Sequence, residues 1–230
     1  MKLSVAIPCW CMNGNGASML EHSFSILEQQ SFKEFEVVVT DHSIDTDIED
    51  LCSKWSSRLT INYIRNSAMR GNPAQNTNLG IKNCIGDYVK LLCQDDFLFG
   101  NDALDKVYEN ISRTNSKWMF MGYWHSQDRV NLYRYYIPYL SENISLINTL
   151  GTPSALTIKN EDFMEFDTNL KSMYDCEFYG RMIKRYGGPL IVNDVTMVNY
   201  LHENQTTNTV VNSSLLADEE DYVRRKLCLI

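Results

Sequence analysis

The stretch GDYVKLLCQDDFL, Gly86 to Leu98, decides how this chain is read. A short apolar run, Tyr88 to Cys93, stops at two adjacent acids, Asp95 and Asp96, and Phe97 follows at once. Neighbouring carboxylates repel, and the end of a strand does not need them. The residues alone leave two readings. One is a solvated turn, with Asp96 opening a helix. The other is a divalent-cation seat facing a phosphate, because Mg²⁺ and Mn²⁺ prefer oxygen ligands and one or two carboxylates plus phosphate oxygens suffice. A cation would also offset the repulsion within the pair.

Working outward, the first hundred residues alternate strand-like and helix-like runs. Ser4 to Ile7, Glu36 to Thr40, Ile61 to Ile64 and Tyr88 to Cys93 read as strands. Met19 to Gln29, Ile48 to Trp55 and Ala74 to Cys84 read as helices. A β-α-β-α pattern with continuously apolar strands predicts a mostly parallel sheet covered by helices on both faces. Ligands of such sheets sit beyond the carboxyl ends of the strands. Three strand ends carry the relevant groups: Pro8, then Asp41-His42-Ser43, then Gln94-Asp95-Asp96.

The second half is less regular. Asn101 is placed to cap a helix carrying Leu104, Val107, Tyr108 and Ile111. Trp118 to Tyr123, Ala155 to Ile158, Leu190 to Val192 and Thr196 to Leu201 read as strands. Cys176 to Tyr186 reads as a helix stopped by Gly187-Gly188-Pro189, with Asp175 as its N-cap and Glu177 and Arg181 paired one turn apart. LADEED, Leu216 to Asp221, reads as a solvated helix start. The region from Lys117 to Thr152 is rich in aromatics (Trp118, Tyr123, Trp124, Tyr133, Tyr135, Tyr136, Tyr139), read mainly as core and partner contacts.

Composition narrows the function. The chain has 230 residues, enough for one large α/β domain. A net charge of −8 argues against a nucleic-acid footprint. No segment has the apolar length to span a bilayer, and the short N-terminal apolar run is not a signal sequence. Seven cysteines without secretory context point to reduced thiols and the cytoplasm. Cys9 and Cys11 lack a second pair at zinc spacing and read as small buried hydrophobes. NGNGAS, Asn13 to Ser18, lacks the third glycine of a dinucleotide fingerprint and reads as a flexible loop. His202 has a structural reading and a metal-ligand reading, both open. Asp175 has a second reading as general base, if it reaches an acceptor hydroxyl.

Together these segments resemble the inverting family 2 glycosyltransferases of GT-A fold, from about Lys2 to Thr207. VAIPCWC resembles that family's opening strand, V-x-I-P-T-Y-N, with Cys9, Trp10 and Cys11 in place of Thr, Tyr and Asn. SILEQQSFKEFEVVVTDHSID resembles its second-strand segment, with Asp41 as the first acid and His42 in place of the second. GNPAQNTNLGIKNCIGDYVKLLCQDD resembles the run ending in the metal motif, with Cys93 where the fullest form has its first acid. GTPSALTIKNEDF and YDCEFYGRM resemble the acceptor-side segment and the helix carrying the base, with Tyr174 replacing a Glu. Five motifs in the right order make the likeness specific.

The resemblance implies a Rossmann-like α/β/α three-layer sandwich with a mostly parallel central sheet. It implies a single domain over 1–230: a nucleotide-sugar half (1–100), an acceptor and catalytic half (101–207) and a C-terminal helix or tail (208–230). Pro8, Cys9, Trp10, Asp41 and His42 would line the base pocket. Arg70 and Asn76 would touch the donor, and Asp95 its ribose or sugar. Asp96, with His202, would hold Mn²⁺ or Mg²⁺, and Asp175 would be the catalytic base. The implied activity moves a sugar from a nucleoside-diphosphate sugar, UDP-linked, to a hydroxyl of a glycan, lipid-linked or protein acceptor in surface polysaccharide or glycan synthesis. Peripheral membrane contact and a homodimer are left open. Two rivals stand beside it. A sugar-nucleotide pyrophosphorylase would want an early basic Gly-rich loop, and no Arg precedes Arg58. A non-catalytic sugar-nucleotide-binding scaffold would have no need of Asp175.

Overall fold

The computed structural model describes residues 1–209 and 211–229. Four strands form the first half of one sheet: β1 (Leu3–Cys9), β2 (Phe35–Asp41), β3 (Ile61–Arg65) and β4 (Tyr88–Leu91). They lie in the order β3-β2-β1-β4 and are mutually parallel. The connecting helices are α1 (Gly16–Glu28), α2 (Asp47–Trp55) and α3 (Pro73–Lys82). Every residue of β2 is buried, and so is all of β1 except Pro8, which explains their largely apolar character; the buried polar Ser4 and Glu36 pair with each other.

Alternate strand residues feed two separate cores. Val5, Ile7, Val37 and Val39 pack with Leu20 and Phe24 of α1 and Ile48 and Trp55 of α2. Ala6 and Val38 face the other way, toward Ala74 and Ile81 of α3. Helix α4 (Ala103–Thr114) joins the first layer through Leu104 and Val107, and α5 (Tyr174–Tyr186) joins the second through Phe178 and Met182. The three layers therefore follow from the two-residue period of the strands.

The remaining strands are β5 (Phe97–Leu98), β6 (Trp118–Ser126), β7 (Leu132–Tyr136), β8 (Leu156–Lys159) and β9 (Leu190–Tyr200). They extend the sheet as β4-β8-β6-β9-β5, with β7 on β6. β8 runs antiparallel to β4 and β6, while β9 is parallel to β6. Among the described residues six strands of the nine thus share one direction, and β5, β7 and β8 oppose them. The two runs expected at Leu190 to Val192 and Thr196 to Leu201 are one strand. Its register against β6 shifts between Met121 and Tyr123, leaving residues without partners that break the apolar pattern.

Several expected boundaries move. The helix after Asn101 is preceded by Asp102, and Asn101 instead gives its carbonyl to the Ser31 amide. Helix α5 begins at Tyr174, so Asp175 lies inside its first turn rather than capping it. LADEED lies within a helix, α7 (Ser213–Leu227), whose cap is Asn212, accepting from the Leu215 amide. A single turn, α6 (Thr206–Thr209), precedes it. The aromatic region divides: Trp118 and Tyr123 are core, Trp124 and Tyr136 half-buried, and Tyr133, Tyr135 and Tyr139 exposed. Among the described residues no helix is long and apolar enough to cross a membrane. All seven cysteines are free.

Candidate active site

The parallel order reverses between β1 and β4, and a cleft of about 630 Å³ opens at their carboxyl ends. Of the residues expected to hold a donor, Pro8, Cys9, Trp10, His42, Arg70, Asn76 and Asp95 line it. Asp41 does not. It is fully buried behind the wall, accepting from the Ser43 amide (2.8 Å) and the Tyr63 hydroxyl (2.8 Å), with Arg65 at 3.2 Å. Its work is to set the His42–Ile44 turn. Asn76 lines the cleft mainly as a clamp: its Nδ2 donates to the carbonyls of Cys9 (3.1 Å) and Thr40 (3.0 Å), tying the ends of β1 and β2. His42 Nε2 lies 3.2 Å from both Ala68 O and Gln75 Oε1, and burial lowers its pKa, so the ring is neutral at physiological pH.

The acidic pair divides unexpectedly. Asp96 is buried and both its oxygens are taken. Oδ1 accepts from Asn199 Nδ2 (2.9 Å) and the Tyr200 amide (3.0 Å), and Oδ2 from the Thr152 hydroxyl (3.2 Å). Burial, then the charge of Asp95, raises its pKa to about 7. Asp95 is more open, and its Oδ2 lies 2.9 Å from His202 Nε2. The His202 ring stacks on Tyr200 at 5.1 Å, which fixes its aim. Ligating atoms of Cys93, Asp95 and Asp96 fall within 4.8 Å of one another. Two carboxylates this close without a counter-charge, one of them pushed toward protonation, suit a divalent cation. The nearby Lys90 supplies only part of that charge: it is fully buried, donates to the Ser154 carbonyl, and burial drives its pKa down to about 7.

A second cavity, about 710 Å³, adjoins the first and holds Asp175 and His202. Thr152, Pro153, Asn199 and Gln205 line both. Asp175 Oδ2 accepts from Asn148 Nδ2 (2.7 Å) and Oδ1 from the Cys176 amide (2.7 Å). Burial raises its pKa to about 6 against those hydrogen bonds. The structure thus brings Asp95, Asp96, His202 and Asp175 around one junction. Gln94, expected only as part of the polar strand end, ties two of those ends together: its Oε1 accepts from the Trp10 amide (2.9 Å). The structure adds residues that the sequence did not single out: Asn148, Thr152 and Asn199. Asn148, Thr152 and Asn199 come from irregular chain and a strand end, with no periodicity to mark them.

A switch-point cleft with an acidic strand end, joined to a chamber containing a half-buried carboxylate, defines the GT-A class of Rossmann-like α/β folds. Residues 4–185 match the family described as Glycosyl transferase family 2, and the chain belongs to that family. An uncharacterized glycosyltransferase of Rickettsia typhi is 25% identical over 230 residues, covering 91% of this chain and 67% of the relative. A second, from Rickettsia prowazekii, is 24% identical over 232 residues, covering 95% and 69%. Among solved structures, S. aureus TarS 1-349 in complex with UDP-GlcNAc superposes with a TM-score of 0.75 at 19% identity, covering 100% of this chain and 66% of that one. Mannosyltransferase PcManGT from Pyrobaculum calidifontis, in complex with GDP-Man and Mn²⁺, gives 0.65 at 14% identity, covering 88% and 57%. The chain therefore spans about two thirds of the length of the Rickettsia relatives.

Proposed function

We propose that this chain is an inverting glycosyltransferase that moves a sugar from a nucleoside-diphosphate sugar to an acceptor hydroxyl, in the synthesis of a surface polysaccharide or glycan. The observation that carries the reading is the junction of the two cavities. The acidic pair lies on one side, Asp175 on the other, and Thr152, Pro153, Asn199 and Gln205 belong to both. A nucleotide in the first cleft would present its diphosphate to Asp95. An acceptor in the second would present a hydroxyl to Asp175.

The geometry supports giving the cation to Asp95 and His202 rather than to Asp96. Asp96 already holds three donors and anchors the end of β9, whereas among the described residues Asp95 meets His202 alone. A bound Mn²⁺ or Mg²⁺ would supply positive charge against the leaving diphosphate. Asp175 does the proton chemistry. Its carboxylate takes the acceptor proton while the hydroxyl oxygen attacks the sugar carbon opposite the departing diphosphate, so the configuration at that carbon inverts. A pKa near 6 leaves Asp175 ionised at neutral pH and makes it a better base than an ordinary aspartate. Asn148 and the Cys176 amide hold its two oxygens in place.

UDP is the nucleotide to test first, because the TarS complexes hold UDP and UDP-GlcNAc, and GDP is the contrast from the Pyrobaculum enzyme. Calorimetric titration of UDP and GDP, with and without Mn²⁺, should give metal-dependent binding that Asp95→Ala abolishes and Asp96→Asn weakens less. Metal-independent binding, or binding indifferent to Asp95→Ala, would remove the cation from this pair.

A further inference from the structure

Resting on that reading, we infer that the acceptor is a neutral, hydroxyl-rich carbohydrate, and that phosphorylated, sulfated and uronate-bearing acceptors are excluded. The lining of the second cavity carries the inference. Three of its amides turn their nitrogens into the protein. Asn199 Nδ2 donates to Asp96 Oδ1 (2.9 Å), Gln205 Nε2 to the Tyr200 carbonyl (3.1 Å) and Asn208 Nδ2 to the His202 carbonyl (2.9 Å). Among the described residues no donor reaches the side-chain carbonyl oxygens of these three. Two carboxylates, Asp175 and Glu203, line the same space. The wall therefore offers a ligand three amide oxygens and two carboxylates, beside the second N–H of each amide and the Gln127 side chain.

A ligand that satisfies such a wall must bring O–H groups. A sugar ring brings several, each able to donate. Phosphate, sulfate and ionised carboxylate bring only acceptors, and their charge faces Asp175 and Glu203 without compensation. Among the described lining residues none is Lys or Arg. Arg129, whose guanidinium packs 4.6 Å from the Tyr200 ring, is not part of the lining. The cation placed at Asp95 is matched by the donor diphosphate and leaves no positive charge for an anionic acceptor.

The test is a glycan array bearing neutral, phosphorylated, sulfated and uronate-containing oligosaccharides, probed with the labelled protein in UDP and Mg²⁺. UDP binding is measured separately by calorimetry. Neutral glycans should bind at least about tenfold more tightly than their anionic counterparts. Glu203→Lys, at an exposed position, should narrow that gap. Equal or preferred binding of anionic glycans, or no neutral glycan bound while UDP binds, would overturn the inference and leave the transferase reading standing. Failure of UDP itself to bind would overturn both.

Discussion

Asp175 is ionised at neutral pH against a burial penalty, and that sets two opposite pH dependences. As a base it must be deprotonated, so transfer should rise with pH through about 6 and then level off, a profile checked by initial rates between about pH 4.5 and about pH 8, on either side of that value. For stability the sign reverses. Its folded pKa lies above the ordinary value, so its contribution is fully present below about pH 4 and lost as pH rises through about 6. Asp175→Asn should therefore melt higher than the wild type at pH 8, by about 1–2 kcal/mol after allowing for its partial exposure to the cavity, with the gain gone near pH 4. Equal melting curves at pH 8 would show that the carboxylate is not strained. At this scale the acidic pair was legible in the sequence because CQDD follows an apolar run directly. The division of labour within it was not, because the donors that occupy Asp96 come from Thr152, Asn199 and Tyr200, far along the chain.

Two elements hold the site in place from a distance. Glu219 of α7 is buried and accepts from three successive amides, Lys171 (2.6 Å), Ser172 (3.0 Å) and Met173 (2.8 Å), just before α5. Lys226 of the same helix reaches Asp167 (2.6 Å) and Glu177 (2.8 Å). Helix α7 thus clasps the start of the helix that carries Asp175. Glu219→Ala strips a charged acceptor from three amides, that of Met173 buried, and should cost about 2–3 kcal/mol, lowering Tm by roughly 5–10 °C in a thermal melt. An unchanged Tm would mean that water replaces the cap. At the other cleft, α1 starts at Gly16, where nothing larger fits. A Cβ there would overlap the Trp10 carbonyl and sit 2.8 Å from Gln94 Nε2. Gly16→Ala should push the Trp10 turn outward and weaken UDP binding in calorimetry by about tenfold, roughly 1.4 kcal/mol. Undiminished affinity would detach that turn from the nucleotide. The first helices and strands were readable because each is a clean periodic run. α7 as a clasp was not, because LADEED shows only charge, while the partner of Glu219 is bare backbone.

At the scale of the molecule, a three-layer sheet brings the ends of β1, β4 and β9 and the start of α5 to one edge. The parallel half was legible, since buried strands leave apolar runs. The mixed half was less so: β7 is largely exposed, β8 is short, and β9 breaks register. The cleft's lining was largely legible from motifs at strand ends, but the second cavity was not, because long-range pairing alone creates it. The account stands on that cavity holding the base. Its most direct test compares Asp175→Asn with the wild type in single-turnover transfer from UDP-sugar, alongside calorimetric binding of the same donor. The account predicts transfer slower by about 10²–10⁴-fold with donor affinity nearly unchanged. Transfer at the wild-type rate, with donor still bound, would contradict it.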